Sequence, residues 1–113
     1  MGETEIEDPT RDSFIQMSKR IAVIQSGSAY LSDFHRAEEL FRTAAGALEN
    51  GDVIIDFDGV KSATPSWLFN FLGNLVMNFP KLFDEHVRIE NVAPLLKSQV
   101  DFAINEGRHR AQH

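Results

Sequence analysis

Two carboxylates close the most apolar run of the chain, Val53-Ile54-Ile55-Asp56-Phe57-Asp58-Gly59. An apolar strand ending in Asp-x-Asp-Gly suits nucleophilic chemistry beside a cation, with Asp56 attacking and Asp58 moving a proton. The plain alternative is structural. Asp58-Gly59 then turns the chain, and Asp56 accepts hydrogen bonds from backbone groups of the loop it leads into. Hydroxyls follow at Ser62, Thr64 and Ser66. Thr64-Pro65 marks a helix start, because a threonine oxygen can accept an orphan N–H and proline at the first helical position has no N–H to waste. Ser66 then lies in the first turn, where its hydroxyl can satisfy a backbone group. With no cysteine there is no thiolate, disulfide or cysteine-held metal. The four histidines are dispersed and the glycines scattered, so no metal, phosphate-cradling loop or cofactor is expected.

The elements that must position these residues read as follows. Residues 13–17 make a short candidate strand and Arg20 to Gln25 a better one, with Ile21, Val23 and Ile24. Ser32 can cap a helix carrying Phe34, Ala37, Phe41, Ala44 and Leu48 at helical spacing, stopped by Asn50-Gly51. Val53 to Phe57 is apolar on both parities, as a central strand covered on both faces would be. A helix should run from about Pro65 to Asn78 on a wide stripe that includes Trp67, Leu68, Phe71, Leu72, Leu75 and Val76, until Pro80 stops it. His86 to Glu90 is a third strand, followed by a helix from about Pro94 to Asn105 with Leu96, Val100 and Ile104 inward. The acidic segment 1–12 and the polar segment 106–113 carry too little apolar surface to offset the entropy of ordering and are expected to be mobile tails around one domain, 13–105. Strands alternating with long helices imply an α/β fold with a mixed, mainly parallel sheet of four or so strands and about three helices.

Seventeen acidic against eleven basic residues in 113 give a net charge of −6, without the basic patch that nucleic acid or an anionic membrane requires. Neither partner is expected. No apolar run approaches a membrane span and the start lacks the order of a signal peptide, so a cytoplasmic location is the simplest expectation.

Two family resemblances compete for the central motif. IIDFDGV by itself resembles the first motif of the magnesium-dependent haloacid-dehalogenase phosphatases, but no later strand ends in Ser or Thr and no downstream Asp-Asp pair completes such a site. The longer pattern, Asp56-Phe57 with Val60, then Pro65-Ser66-Trp67, then Val87-Arg88-Ile89-Glu90-Asn91 and Pro94-Leu95-Leu96-Lys97, resembles the STAS superfamily of anti-sigma-factor antagonists. It is closest to a STAS-like family of unknown function, over about Ile21 to Ile104. The resemblance implies a bacterial or archaeal STAS-like domain that is not an enzyme and works by regulated binding to other proteins. In partner-switching members the helix start carries a phosphorylatable serine, recognised by a GHKL-type ATPase that acts as serine kinase. A gapless overlay sets Thr64 against the family's Asp and Pro65 against that Ser. Proline cannot be phosphorylated, so Ser66 is the candidate that remains.

The contact surface implied is the loop and helix 61–74, with Thr64, Pro65, Ser66, Trp67, Phe69 and Asn70 toward a protein partner. Trp67 on the apolar stripe also reads as core, whereas Phe69 falls off the stripe. Nine phenylalanines in so small a chain leave some for a partner surface or a homodimer.

Overall fold

A computed structural model describes residues 18–26 and 29–112. The expected strand at 13–17 and the acidic segment 1–12 lie outside the described residues. Three strands, β1 (Lys19–Ala22), β3 (Val53–Asp56) and β5 (Val87–Glu90), form a parallel sheet in the order β1-β3-β5. A second ladder joins two-residue strands, β2 (Tyr30–Leu31) and β4 (Ser62–Ala63), also in parallel. The α/β architecture with a mainly parallel sheet is therefore as expected, with β1 shorter than foreseen: from Val23 to Ser26 the chain turns into a 3-10 helix.

Ile21, Val53 and Ile55 are buried, while Ile54 and Asp56 stay half-buried. Among the described residues the sheet is thus packed on one face, in contrast to the expectation of a central strand covered on both. Ile54 is held in register between Arg20 and Arg88, long side chains whose stems can shield an apolar neighbour while the charge stays wet. Among the described residues no helix lies over Ile54 on that face.

Helix α1 (Phe34–Leu48) buries Ala37, Leu40, Ala44 and Leu48. Its cap is Asp33 rather than Ser32, with Oδ1 accepting the His35 N–H at 2.9 Å, and Phe34 stands 57% exposed instead of joining the core. Helix α2 covers residues 65–78. It is α-helical over Pro65–Leu68 and Asn74–Asn78, with a π-helical turn, Phe69–Gly73, between. Asn70, Asn74 and Asn78 each donate from Nδ2 to the carbonyl four residues back, at 2.8–3.0 Å, so one side of this helix is a ladder of amides. Trp67, Leu68, Phe71, Leu72, Leu75 and Val76 on the other side are sealed.

A short helix missing from the expectation, α3 (Pro80–His86), buries Phe83. Pro80 does end α2, but it also occupies the first position of the next helix, where its missing N–H costs nothing. The last helix, α4 (Pro94–Ala111), overruns its expected end at Asn105 by more than a turn. The residues beyond Asn105 are held by backbone contact: a Cβ added to Gly107 would lie 2.5 Å from the Gly73 carbonyl oxygen and 3.0 Å from its Cα. Arg108 then pairs with Asp84 of α3 at 2.6 Å, and the Arg110 guanidinium lies 4.7 Å from the centre of the Phe69 ring. Polar composition hid a docked helix end.

This close crossing yields a sign test. In an isolated helix Gly→Ala stabilises by up to about 1 kcal/mol. Gly107→Ala here must push α2 and α4 apart and should instead destabilise by about 1–3 kcal/mol, read as a lower midpoint in thermal or urea unfolding. Deleting residues 106–113 should likewise lower the midpoint, whereas a free tail would leave it unmoved.

Candidate functional site

The three parallel strands bring their carboxyl ends to one edge, and there the Asp56 carboxylate meets all of them. Its Oδ2 accepts from Arg20 Nη1 of β1 at 2.8 Å, and Arg20 Nη2 reaches Glu90 of β5 at 2.9 Å. Its Oδ1 accepts the Asp58 N–H and Asn91 Nδ2, both at 2.9 Å. Asn91 adopts a left-handed backbone, φ 61°, a conformation that asparagine tolerates better than most residues and that turns its amide back toward β3. The hydrogen bond from Asn91, then that from the Asp58 N–H, and then the Arg20 bond and charge hold the Asp56 carboxyl below its ordinary range. Arg20 is pushed further upward by Glu90 and Asp56. The expectation that Asp56 accepts from its own loop is met by the Asp58 N–H, but both of its oxygens are already engaged. Asp58 itself is exposed, and its turn is closed by Gly59 at φ +85°, where a Cβ would meet Ile24 at 2.9 Å.

This knot sets the two loops that deliver α2 and α4. The β2–β4 ladder, continued by Lys61 N–H to the Ala29 carbonyl and Thr64 N–H to the Leu31 carbonyl, places the starts of α1 and α2 side by side. Thr64 caps α2 as expected, its Oγ1 accepting the Trp67 N–H at 3.2 Å, with Pro65 at the first helical position. Ser66 is exposed directly after it. Of the residues proposed to meet a partner, Pro65, Ser66, Phe69 and Asn70 line one open groove of about 680 Å³. Thr64 is exposed but lies outside the lining, its oxygen spent on the cap. Trp67 is corrected out of the surface: it is fully buried, edge-on to Phe71 at 5.7 Å and 77°, and its indole N–H has no acceptor among the described residues. The wide apolar stripe decided its place.

Two walls of the groove escaped the sequence reading. Phe34 comes from α1 and Phe102, 64% exposed, from α4. Phe102 signalled itself only as an aromatic off the inward face of α4, whereas the spacing of Phe34 pointed it inward. The π turn swings Phe69 over Gly73, where a Cβ would lie 2.3 Å from its ring, so a bare backbone at Gly73 serves both the ring and Gly107. Among the described residues no cluster of His, Asp and Glu is placed to hold a metal ion.

Residues 36–96 match the family described as a STAS-like domain of unknown function (DUF4325). The chain belongs to this family. The matched span contains Asp56, the opening of α2 and Asn91, and leaves Arg20, Phe34 and most of α4 outside. Neither a curated protein nor a solved structure matched the chain. Among the described residues no helix is long and apolar enough to cross a membrane.

The knot gives a pH prediction with a definite sign. Because the folded carboxyl of Asp56 is depressed, its stabilisation is present in full above the unfolded carboxylate range and fades as pH falls below about 4. Asp56→Asn should therefore cost about 1–2 kcal/mol near neutrality, given partial exposure, and the gap from the parent should close in acid. Asn91→Gly should cost less than Asn91→Ala, since glycine keeps the left-handed backbone and alanine does not. Urea unfolding at pH 7 and pH 3 reads both effects.

Proposed function

We propose that this STAS-like domain is a non-enzymatic, regulatory protein-interaction module whose contact surface is the groove at the opening of α2, with Ser66 as its phosphorylation switch. The observation that carries the reading is convergence. Pro65, Ser66, Phe69 and Asn70, singled out on resemblance to partner-switching proteins, line a single groove whose other walls include the exposed rings of Phe34 and Phe102. Exposed aromatics around a polar amide are typical anchors for a protein partner. By the family resemblance, that partner is a GHKL-type ATPase acting as serine kinase, and the setting is the bacterial cytoplasm. The non-enzymatic reading is supported by the three hydrogen bonds, one of them from a guanidinium, that already engage both Asp56 oxygens.

A phosphate on Ser66 would sit at the first turn of α2, favoured by the helix dipole, while placing nearly two negative charges in the groove. The fold should tolerate it and binding should not. Ser66→Asp is therefore expected to keep the unfolding free energy within about 1 kcal/mol of the parent and to abolish capture of the partner kinase, while Ser66→Ala keeps both. Retention of full binding by Ser66→Asp would move the interface elsewhere. Magnesium-dependent hydrolysis of a generic phosphate ester, lost in Asp56→Asn, would overturn the non-enzymatic reading.

A further inference from the structure

Among the described residues β5 is an outer strand, bonded within its sheet to β3 alone. In a parallel ladder the amide and carbonyl of one residue face the same neighbour, and those of the next residue face away. The Phe57 N–H donates to the Glu90 carbonyl at 2.9 Å. Glu90 and Arg88 therefore direct their backbone groups inward to β3, and Ile89 directs both of its own to the open edge. The Val87 N–H is taken by the Phe83 carbonyl, which leaves the Val87 carbonyl also facing outward.

The side chains alternate as regularly. Val87 and Ile89 lie on the packed face, beside a groove of about 430 Å³ also lined by Val92, Val100 and Ile104. Arg88 and Glu90 lie on the open face. Glu90 is held by Arg20, whereas Arg88 has no ion pair or side-chain hydrogen bond among the described residues. Laid antiparallel against itself with Ile89 at the centre, Val-Arg-Ile-Glu is self-complementary. Ile89 meets the partner's Ile89 in a doubly hydrogen-bonded pair, Arg88 meets the partner's Glu90, and Glu90 meets the partner's Arg88.

We infer that β5 is a dimerisation edge, at which a second copy of this chain adds its own β5 antiparallel about a two-fold axis through Ile89. The result is one continuous six-stranded sheet. Three independent features fit that occupant. The free backbone groups are those of the residue that the axis requires, the charges alternate so that each faces its opposite twice, and the apolar groove beside the edge is doubled and closed by its symmetric mate. An isologous contact demands this kind of self-complementarity, and cross-strand charge pairs with a central aliphatic pair are what stabilise such an edge. The groove at the start of α2 shares no lining residue with this edge. Each dimer would therefore present two open binding grooves.

Sedimentation equilibrium of the full chain should give twice the chain mass at high micromolar concentration. Arg88→Glu places like charges opposite each other at both symmetric positions and should weaken the dimer at least about tenfold without lowering the melting midpoint of the monomer. Glu90→Lys should weaken it similarly, and an equimolar mixture of the R88E and E90K chains should recover the dimer, because each altered side chain then meets an opposite charge. If E90K disturbs folding through Arg20, the comparison of R88E with the parent decides alone. A monomeric parent, as would follow if another stretch of the same chain covered the edge, overturns the inference. So does a dimer indifferent to R88E, or two folded variants whose mixture stays monomeric.

Discussion

One carboxylate joins the ends of all three strands. Asp56 takes a guanidinium from β1, an amide from the residue after β5 and a backbone N–H from its own loop, while Arg20 continues the bridge to Glu90. Parallel strands deliver their carboxyl ends to one edge, where several loops leave together with unpaired polar groups. A buffered negative charge at the middle strand orders those loops at once. Because the loop after β3 leads through β4 to α2, and the loop after β5 leads to α4, the position of both helix starts depends on this single group. The carboxylate at the centre of the Asp-x-Asp-Gly motif is therefore bonded as a fastening between strand ends.

Downstream of that fastening, a second constraint sets the distance between the helices. Gly73 and Gly107 allow α2 and α4 to touch backbone to backbone, and the π turn that carries Gly73 also carries Phe69 and Asn70 toward the groove. Such turns insert one extra residue and rotate everything after it, a common way to re-aim side chains at functional surfaces. Here the apolar face on one side of the turn and the amide ladder on the other both stay in use. The groove is thus a product of fastening and crossing together: the knot sets where α2 begins, and the glycines set how close Phe102 can come.

What sequence could reveal followed how local the determinants are. The cap at Thr64-Pro65, the inward stripes of α2 and α4, and the turn at Asp58-Gly59 depend on neighbours within a few residues, so periodicity and capping chemistry located them. Arg20 and Asn91 lie about 35 residues either side of Asp56, and only the sheet register brings them together. Asn91 was visible as a family position without its reason; the left-handed turn and the bond to Asp56 supply one. Pro80 misled because the same residue type stops one helix and starts the next. The segment after Asn105 misled because its anchor is a missing side chain, Gly107, against another, Gly73, a signal that hydropathy cannot carry. Phe34 looked inward by spacing, but the buried residues of α1 begin at Ala37, and Leu40 joins them in the core.

The central claim is that Asp56 is held charged by its neighbours and serves as the joint of the three strand ends. The direct test is a titration of its side-chain carboxyl carbon by NMR in the folded protein, repeated in Asn91→Gly. The account predicts a folded-state pKa below the ordinary carboxylate value, rising toward that value when the Asn91 amide is removed, since that bond is the largest contributor. A carboxyl that titrates at or above the ordinary value, or one that does not respond to Asn91, would contradict it.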